Sequence, residues 1–330
     1  MSRFRIVGLL AALVALATVV VACGSDENAA EVLESASWEG LQSGNLDFSL
    51  SVESGGREGG DIDVSLSGPF QRRGKDLPEV DLTATVEGTV DGQAIDLEGG
   101  LTLLPDRGFV NYEGVEYEID PANFEFAKSS FLPLDPGQGK RGRASALSAC
   151  QEAAAGLDLG DFVDDLSEDG SADVDGTSTT KISGDLDVSA ALDAIVELAE
   201  SPSCDAQLAA ASRSADDLEE IEEELSGAVE VAHAEVYVGD DGIVRKVVGE
   251  LTAEPRGSGH DEVEADFELT LSDINEGPKI KPPSAAKPIL LWLQGLGVSP
   301  FEALYLVSDP EGLGRVLELV AADVLPAAGG

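Results

Sequence analysis

The chain has 330 residues, of which 64 are Asp or Glu and 20 are Lys or Arg, so its formal net charge is −44 at pH 7. A surface this acidic excludes nucleic acid as a partner, because phosphate binding requires a basic surface, and it also repels anionic lipid head groups. Hydrophobic residues make up 43% of the chain. They follow regular patterns, so we expect a folded protein with a sizeable core rather than a disordered acidic chain.

The N-terminal residues predict export and lipid attachment. Arg3 and Arg5 are followed by the uncharged run Ile6–Ala22, which is the arrangement of a secretory signal. Cys23 follows this run directly and resembles the lipobox cysteine of bacterial lipoproteins, which is lipidated and becomes the first mature residue. We predict a signal peptide over residues 1–22 and a mature chain held by a lipid anchor on the extracytoplasmic face of the bacterial cell membrane. The alternative is a plain membrane anchor with an incidental cysteine.

Two further cysteines, Cys150 and Cys204, remain after this assignment. Because conditions beyond the membrane are oxidising, we predict a disulfide between them. One alternative is two separate buried thiols. A metal site is disfavoured, because only His233 and His260 could join the cysteines, and we expect neither a metal nor another cofactor.

The hydrophobic pattern of the mature chain predicts an α+β fold. Residues 23–30 are typical of a polar tether, and 31–44 have helical spacing. The period then changes to two, which is typical of antiparallel strands with one apolar face. Strands are predicted around residues 48–52, 62–66, 80–86, 95–103, 109–112, 115–119, 229–238, 243–253 and 263–271. A bulge or bend is expected at Gly99–Gly100.

Helical patterns interrupt and follow these strands. Helices are predicted around residues 144–155, 159–166, 189–200 and 214–226. Residues 144–227 are therefore expected to be a helical insert within one domain over 31–277, although Asp173–Asp187 has strand character. Residues 278–330 are expected to be a proline-rich linker followed by an apolar helical tail.

The sequence lacks the constellations that common enzymes require. Two histidines leave few general bases. A Gly-x-Ser-x-Gly elbow, a Walker-type loop and a His-Glu-x-x-His motif are absent from the sequence. The segment Asp173–Gly176 hints at calcium but lacks the distal glutamate of an EF-hand loop, so we interpret it as a turn. We predict no catalytic residues and a binding protein rather than a hydrolase.

A curved antiparallel sheet closed by helices can enclose an apolar cavity. Alternation along the predicted strands assigns ten residues to the lining of such a cavity: Phe48, Leu50, Val64, Leu66, Leu82, Val86, Leu101, Val263, Phe267 and Leu269. The same stripes would equally fill a compact core, and periodicity alone favours the core. Basic clusters at residues 72–75 and 140–143 are candidate head-group sites, with ordinary loop charges as the simpler interpretation.

The order of elements resembles actinobacterial lipoproteins of the LppX/LprG type. The resemblance covers Cys23 to Ile274 and rests on the lipobox, the following helix, the strand Phe48-Ser-Leu-Ser-Val, the segment Asp173–Asp187 and the hairpin Asp241–Lys246. It implies a LolA/LolB-like half-barrel, with helices inside the curve of the sheet and an acyl-chain cavity between them. The extreme acidity, the insert and the apolar tail depart from this pattern.

Together these features predict a non-enzymatic, membrane-anchored lipoprotein that binds or transfers an acylated lipid in the cell envelope. Its expected partners are the membrane, through the N-terminal lipid anchor, and an acylated lipid as cargo. The alternative is a structural or interaction lipoprotein whose sheet face is fully packed and which binds a protein partner.

Overall fold

In the computed structural model, the strands of the chain form one twelve-stranded sheet. The structure describes residues 27–38, 40–55, 59–72, 77–90, 92–122, 124–125, 163–188, 190, 194, 229–254 and 262–298. The strands are β1 (Ser43–Ser54), β2 (Gly60–Gln71), β3 (Glu79–Val90), β4 (Gln93–Leu103), β5 (Gly108–Tyr112), β6 (Val115–Glu118), β7 (Val163–Val174), β8 (Thr177–Leu186), β9 (Val229–Gly239), β10 (Val244–Ala253), β11 (Val263–Ser272) and β12 (Lys287–Pro288). The described residues also include the helices α1 (Glu27–Ser35) and α2 (Ile289–Gly295).

Two meanders join to make the sheet, whose strand order is β12-β6-β5-β4-β3-β2-β1-β11-β10-β9-β8-β7. Strands β1 to β6 form one meander and β7 to β11 the other. They meet where β1 pairs antiparallel with β11, from Asn45 opposite Ser272 to Ser54 opposite Val263. Strand β12 adds to the outer edge in parallel with β6. The predicted antiparallel sheet is confirmed in this coarse form, as one large open sheet with few described helices.

Two glycines bend the strands in the first meander. Gly68 in β2 and Gly88 in β3 have φ angles of 142° and 148°. A Cβ on Gly68 would run into the carbonyl oxygen of Asp81, and a Cβ on Gly88 into that of Asp61. Because these obstacles are backbone atoms of the neighbouring strand, no side chain fits at either position. Glycines of this kind allow a sheet to bend without losing its pairing.

Helix α1 covers the far half of the sheet. Its residues Ala29 and Leu33 are almost completely buried, with Leu33 only 1% exposed. They belong to one buried cluster with residues of strands β7 to β10: Leu166, Ile182, Val236, Val238, Val244 and Val247. The aliphatic side of α1 therefore stabilises the second meander by burying its apolar face.

The first helix differs from its predicted position. It begins at Glu27 and ends at Ser35, so residues 27–30 of the predicted tether are helical, and residues 36–38 and 40–44 are not. The helix ends because the chain turns to the sheet, where the Ser37 amide donates a hydrogen bond to the carbonyl of Gly242 at 2.9 Å. Leu41, which we expected on the helical stripe, is buried outside the helix.

The predicted helical insert is wrong in part. Strand β8 lies within Asp173–Asp187, where strand character is expected, but β7 is not predicted and replaces the end of the helix predicted at 159–166. The pairing of β7 with β8 shifts register twice, near Asp165 and Gly170, where φ is 50° and 90°. Each shift breaks the alternation of apolar and polar residues, which hides this strand from sequence periodicity.

The bulge predicted at Gly99–Gly100 is also wrong. Strand β4 keeps one register with β3 through both glycines. A Cβ on Gly100 would lie 3.0 Å from the carbonyl oxygen of Leu82, so this glycine permits close approach of two strands rather than a bulge. The strands predicted around 109–112 and 115–119 are joined by a turn at Glu113–Gly114, and those predicted around 229–238 and 243–253 by a turn at Asp240–Gly242.

Several predictions fall outside the described residues. These include the lipidation of Cys23, the disulfide between Cys150 and Cys204, the helices at 144–155 and 214–226, and the tail beyond residue 298. Within the described part of the tail, α2 is helical from Ile289 to Gly295. No described helix has the length and apolarity needed to cross a membrane.

The bend at Gly88 gives a testable consequence for stability. We expect Gly88→Ala to lower the free energy of unfolding by about 3 kcal/mol, because the new Cβ would meet backbone at a strained φ. The matched control is Gly295→Ala in α2, where a Cβ would meet nothing within 4 Å and the change should be neutral or slightly stabilising. Urea unfolding of both variants measures the difference, and equal stability of the two would contradict the role of Gly88.

Candidate functional site

One face of the sheet is entirely uncharged across β1 to β4 and β11. The registers align its side chains in rows, so that Phe48 stands opposite both Leu66 and Leu269, and Leu50 opposite both Val64 and Phe267. Every residue that faces this side between positions 44–52, 62–70, 80–88, 95–103 and 263–271 is aliphatic, aromatic or glycine. We call this surface the apolar face.

All ten residues predicted to line a cavity lie on the apolar face. Val64 stands opposite Val86, and Leu82 opposite Leu101. Val263 lies on the same side of β11 as Phe267 and Leu269. The structure therefore brings the ten residues together on five neighbouring strands, while their contact with a ligand stays a prediction.

The side chains of the apolar face differ in how deeply they are buried. Four residues of β1 and β11 form a buried cluster, namely Leu50, Val52, Val263 and Ala265. By contrast, the apolar side chains of β2 to β4 are half-buried, except for the buried Val80, and Leu101 is 38% exposed. We call this second group the central apolar strip; its members are Ile62, Val64, Leu66, Leu82, Ala84, Val86, Ile95, Leu97, Leu101 and Leu103.

The smallest residues of the strip lie at its middle. Ala84 is paired with Leu66 on one side and with Gly99 on the other. A Cβ on Gly99 would contact only the carbonyl oxygen of Asn111, at 3.4 Å. Larger aliphatic side chains flank Ala84 and Gly99 on the neighbouring rows, so these two positions form a shallow depression, which we call the channel. The depression is confined to β3 and β4, because Leu66, Phe48 and Leu269 continue the same row with large side chains.

Helix α2 closes the channel at the β5–β6 end. The ring of Trp292 lies 5.4 Å from that of Tyr112 and 6.1 Å from that of Tyr117, measured between centroids. Leu293 anchors the helix through a small buried cluster with Val298. The indole Nε1 of Trp292 is buried and has no hydrogen-bond acceptor among the described residues. Buried hydrogen-bond donors without an acceptor are rare, because leaving a buried N–H unpaired lowers stability. We therefore expect the Trp292 N–H to have an acceptor.

The opposite face of the sheet carries a network of charges. The Lys181 ammonium lies 2.6 Å from a carboxylate oxygen of Glu235, which also accepts a hydrogen bond from the Tyr237 hydroxyl at 2.7 Å. Burial raises the pKa of Glu235, but the hydrogen bonds from Lys181 and Tyr237 outweigh it, so the pKa lies below 4.5. Burial and the bond to Glu235 raise the pKa of Tyr237 to about 12. These residues hold strands β8 and β9 together.

A cavity of about 750 Å³ also lies mainly on this polar face. Its lining includes five acidic residues and four hydroxyl residues: Asp63, Glu87, Glu250, Asp266, Glu268, Ser49, Ser51, Ser65 and Thr85. The carboxylates make it unsuited to an acyl chain, because burying them without partners is costly. The described residues contain no group of three or more side chains that could hold a metal ion.

The remaining sequence candidates have ordinary structural positions. His233 lies on the polar face with its Nδ1 2.9 Å from Asp185. The turn predicted at Asp173 is confirmed, since its carboxylate accepts a hydrogen bond from the Gly176 amide at 3.0 Å. Arg72 is exposed just after β2. The rest of both basic clusters and His260 lie outside the described residues.

Comparison with known proteins identifies similar folds. Among solved structures, the chain matches LprF from Mycobacterium bovis with 12% sequence identity and a TM-score of 0.36, covering 80% of this chain and 100% of LprF. It matches the lipoprotein LppX from Mycobacterium tuberculosis with 16% identity and a TM-score of 0.31, covering 78% and 100%. A third match is an outer membrane lipoprotein-sorting domain from Vibrio parahaemolyticus, with 8% identity, a TM-score of 0.17 and coverage of 77% and 93%.

No family model and no curated protein sequence matches the chain. LppX, one of the structural matches, is a namesake of the LppX/LprG-type lipoproteins that the sequence is predicted to resemble. At these identities and TM-scores, the similarity carries no information about ligands.

The hydrogen bond between Tyr237 and Glu235 should affect the pKa of the Tyr237 phenol. We expect Glu235→Gln to lower the pKa of Tyr237 from about 12, because the neutral amide no longer favours the protonated phenol. Ultraviolet absorbance of tyrosinate measures the shift, with Tyr237→Phe used to assign the signal. Glu116→Gln is the control, because Glu116 accepts its hydrogen bond from Asn111 instead. An unchanged Tyr237 titration in Glu235→Gln would disprove the coupling.

Proposed function

We propose that this protein binds an acylated lipid along the central apolar strip and carries it within the cell envelope. The observation that supports the proposal is the uninterrupted uncharged surface of five strands, half-buried between α1 at one side and α2 at the other. Water in contact with so much aliphatic surface is unfavourable, and each buried methylene contributes about 0.8 kcal/mol. The five strands of the apolar face span about 19 Å at the usual strand spacing, which suits an extended long acyl chain lying across them.

The end of the channel offers a polar contact for such a ligand. An acylated lipid carries an ester or carboxyl oxygen at the end of its chain. In the proposed complex, that oxygen accepts a hydrogen bond from Trp292 Nε1, the buried donor that has no described partner. The rings of Tyr112 and Tyr117 hold the indole in place, which gives the ligand a direction in the channel.

The proposal includes the anchor predicted from the sequence. Lipidation of Cys23 would place the strip on the extracytoplasmic side, close to a supply of lipids, and no enzymatic step is required. The alternative, an interaction lipoprotein with a closed core, is supported by the buried cluster of Leu50, Val52, Val263 and Ala265. The exposure of Leu101 favours lipid binding over that alternative.

Lipid uptake by designed variants tests the strip. The chain from Gly24 onward, which contains every described residue, is purified and titrated with a fluorescent long-chain fatty acid, and native mass spectrometry measures bound lipid after exposure to a membrane extract. We expect near one lipid per protein. The double variant Leu82→Asn/Leu101→Asn should bind the fatty acid at least tenfold more weakly, because it places two amides on the central apolar strip.

Two further variants separate binding from folding. Ala84→Trp keeps the strip apolar but fills the channel, so it should also block uptake while the protein stays folded by circular dichroism. Thr83→Asn on the same strand points to the opposite face and should bind normally. A wild-type chain that takes up no lipid, or normal uptake by both channel variants, would rule out the proposed site in favour of a closed core.

The Trp292 contact has its own test. Trp292→Phe keeps an aromatic ring but removes the donor, so we expect affinity for a long-chain fatty acid to fall about tenfold, as for one hydrogen bond. Affinity for an alkane of the same length should change little, since an alkane has no acceptor. Isothermal titration or competition with the fluorescent probe measures both. Equal losses for the two ligands would mean that the indole acts only through packing.

A further inference from the structure

One segment of this acidic chain contains no acid. Residues 277–298 include three lysines and no Asp or Glu, although acids make up about one residue in five of the whole chain. The three lysines, Lys279, Lys281 and Lys287, are all exposed. Their positive charge is therefore concentrated on one short stretch rather than spread among neutralising acids. We call residues 277–291 the basic rim.

The structure fixes the basic rim along one end of the first meander. At its start, the Gly277 amide donates a hydrogen bond to the Ser43 hydroxyl at 3.0 Å, where β1 begins. At its end, Lys287 pairs with Tyr117 at the end of β6. Between these points lies the edge at which β2 and β4 also end, so the lysines follow the rim of the central apolar strip.

The basic rim also contains an exposed apolar side chain, Leu291. Leu291 is 52% exposed, more than Leu101, the other large hydrophobic residue exposed in the described part of the chain. It lies in α2, four residues after Lys287. On the neighbouring strand β6, Glu118 is paired with Arg107 at 2.8 Å. Exposed lysines beside an exposed leucine are typical of surfaces that dock on anionic membranes.

We propose that the basic rim docks on an anionic lipid bilayer, with the lysines at the phosphate groups and Leu291 inserted among the acyl chains. The acidic remainder of the protein does not prevent this contact, because charges are screened beyond about 8 Å at physiological ionic strength. Docking along this rim would place one end of the central apolar strip against the membrane. The inference goes beyond lipid binding by the strip, since surface docking needs no ligand inside it.

Vesicle sedimentation tests the docking surface. The chain from Gly24 onward lacks the predicted lipid anchor, so any binding comes from the protein itself. We expect it to bind vesicles of phosphatidylcholine with phosphatidylglycerol, to release them at high salt, and to bind pure phosphatidylcholine at least tenfold more weakly. Each lysine contributes about a fivefold factor, so Lys279→Gln, Lys281→Gln and Lys287→Gln together should weaken binding about a hundredfold.

Matched variants make the test specific. Leu291→Gln should weaken binding severalfold without removing its salt dependence. Lys246→Gln removes one positive charge, as each single substitution in the basic rim does, but from the polar face, where Lys246 is paired with Glu268 at 2.8 Å; it should leave vesicle binding unchanged. The proposal is overturned if the wild type ignores anionic vesicles, binds both vesicle types equally, or is unaffected by the triple substitution. Fatty-acid uptake by the same variants is measured separately, so that a loss of vesicle docking is distinguished from a loss of lipid binding by the central apolar strip.

Discussion

The pairing of β1 with β11 is the contact on which the rest of the structure depends. It joins two meanders that are distant in sequence, from Asn45 opposite Ser272 to Ser54 opposite Val263. Because side chains alternate along a strand, a slip of one residue in this pairing would turn the aliphatic side of one meander toward the acids of the other. The actual register continues each apolar row across the junction, and so produces a single uncharged face.

The two faces of the sheet differ in how they are stabilised. On the polar face, ion pairs and hydrogen bonds such as Lys181 with Glu235 and Lys246 with Glu268 link neighbouring strands, although exposed pairs of this kind contribute only modestly. On the apolar face, the stabilisation comes from burial, and it is concentrated under α1 and along β1 and β11. The strands β2 to β4 contribute least to that burial, which makes them the natural place for a ligand.

The charges of this protein are unevenly distributed, so its net charge alone does not decide whether it is repelled by anionic membranes. A net charge of −44 predicts repulsion from anionic membranes when the chain is treated as uniform. Among the described strands, the acids lie largely on the polar face of the sheet, while residues 277–298 contain only lysines as charged groups. Since electrostatic interactions in salt are local, the behaviour of an acidic protein at a membrane depends on which rim faces the lipid.

Local alternation determined the strands of the first meander and of β9 to β11, and with them the membership of the apolar face, because period two follows directly from strand geometry. It failed for β7, where bulges at Asp165 and Gly170 break the period, and for α1, whose end depends on a hydrogen bond to distant Gly242. The pairing of β1 with β11 and the position of Trp292 beside Tyr112 were decided only by tertiary structure. Both join residues far apart in the chain, and periodicity contains no information about which distant partner a segment meets.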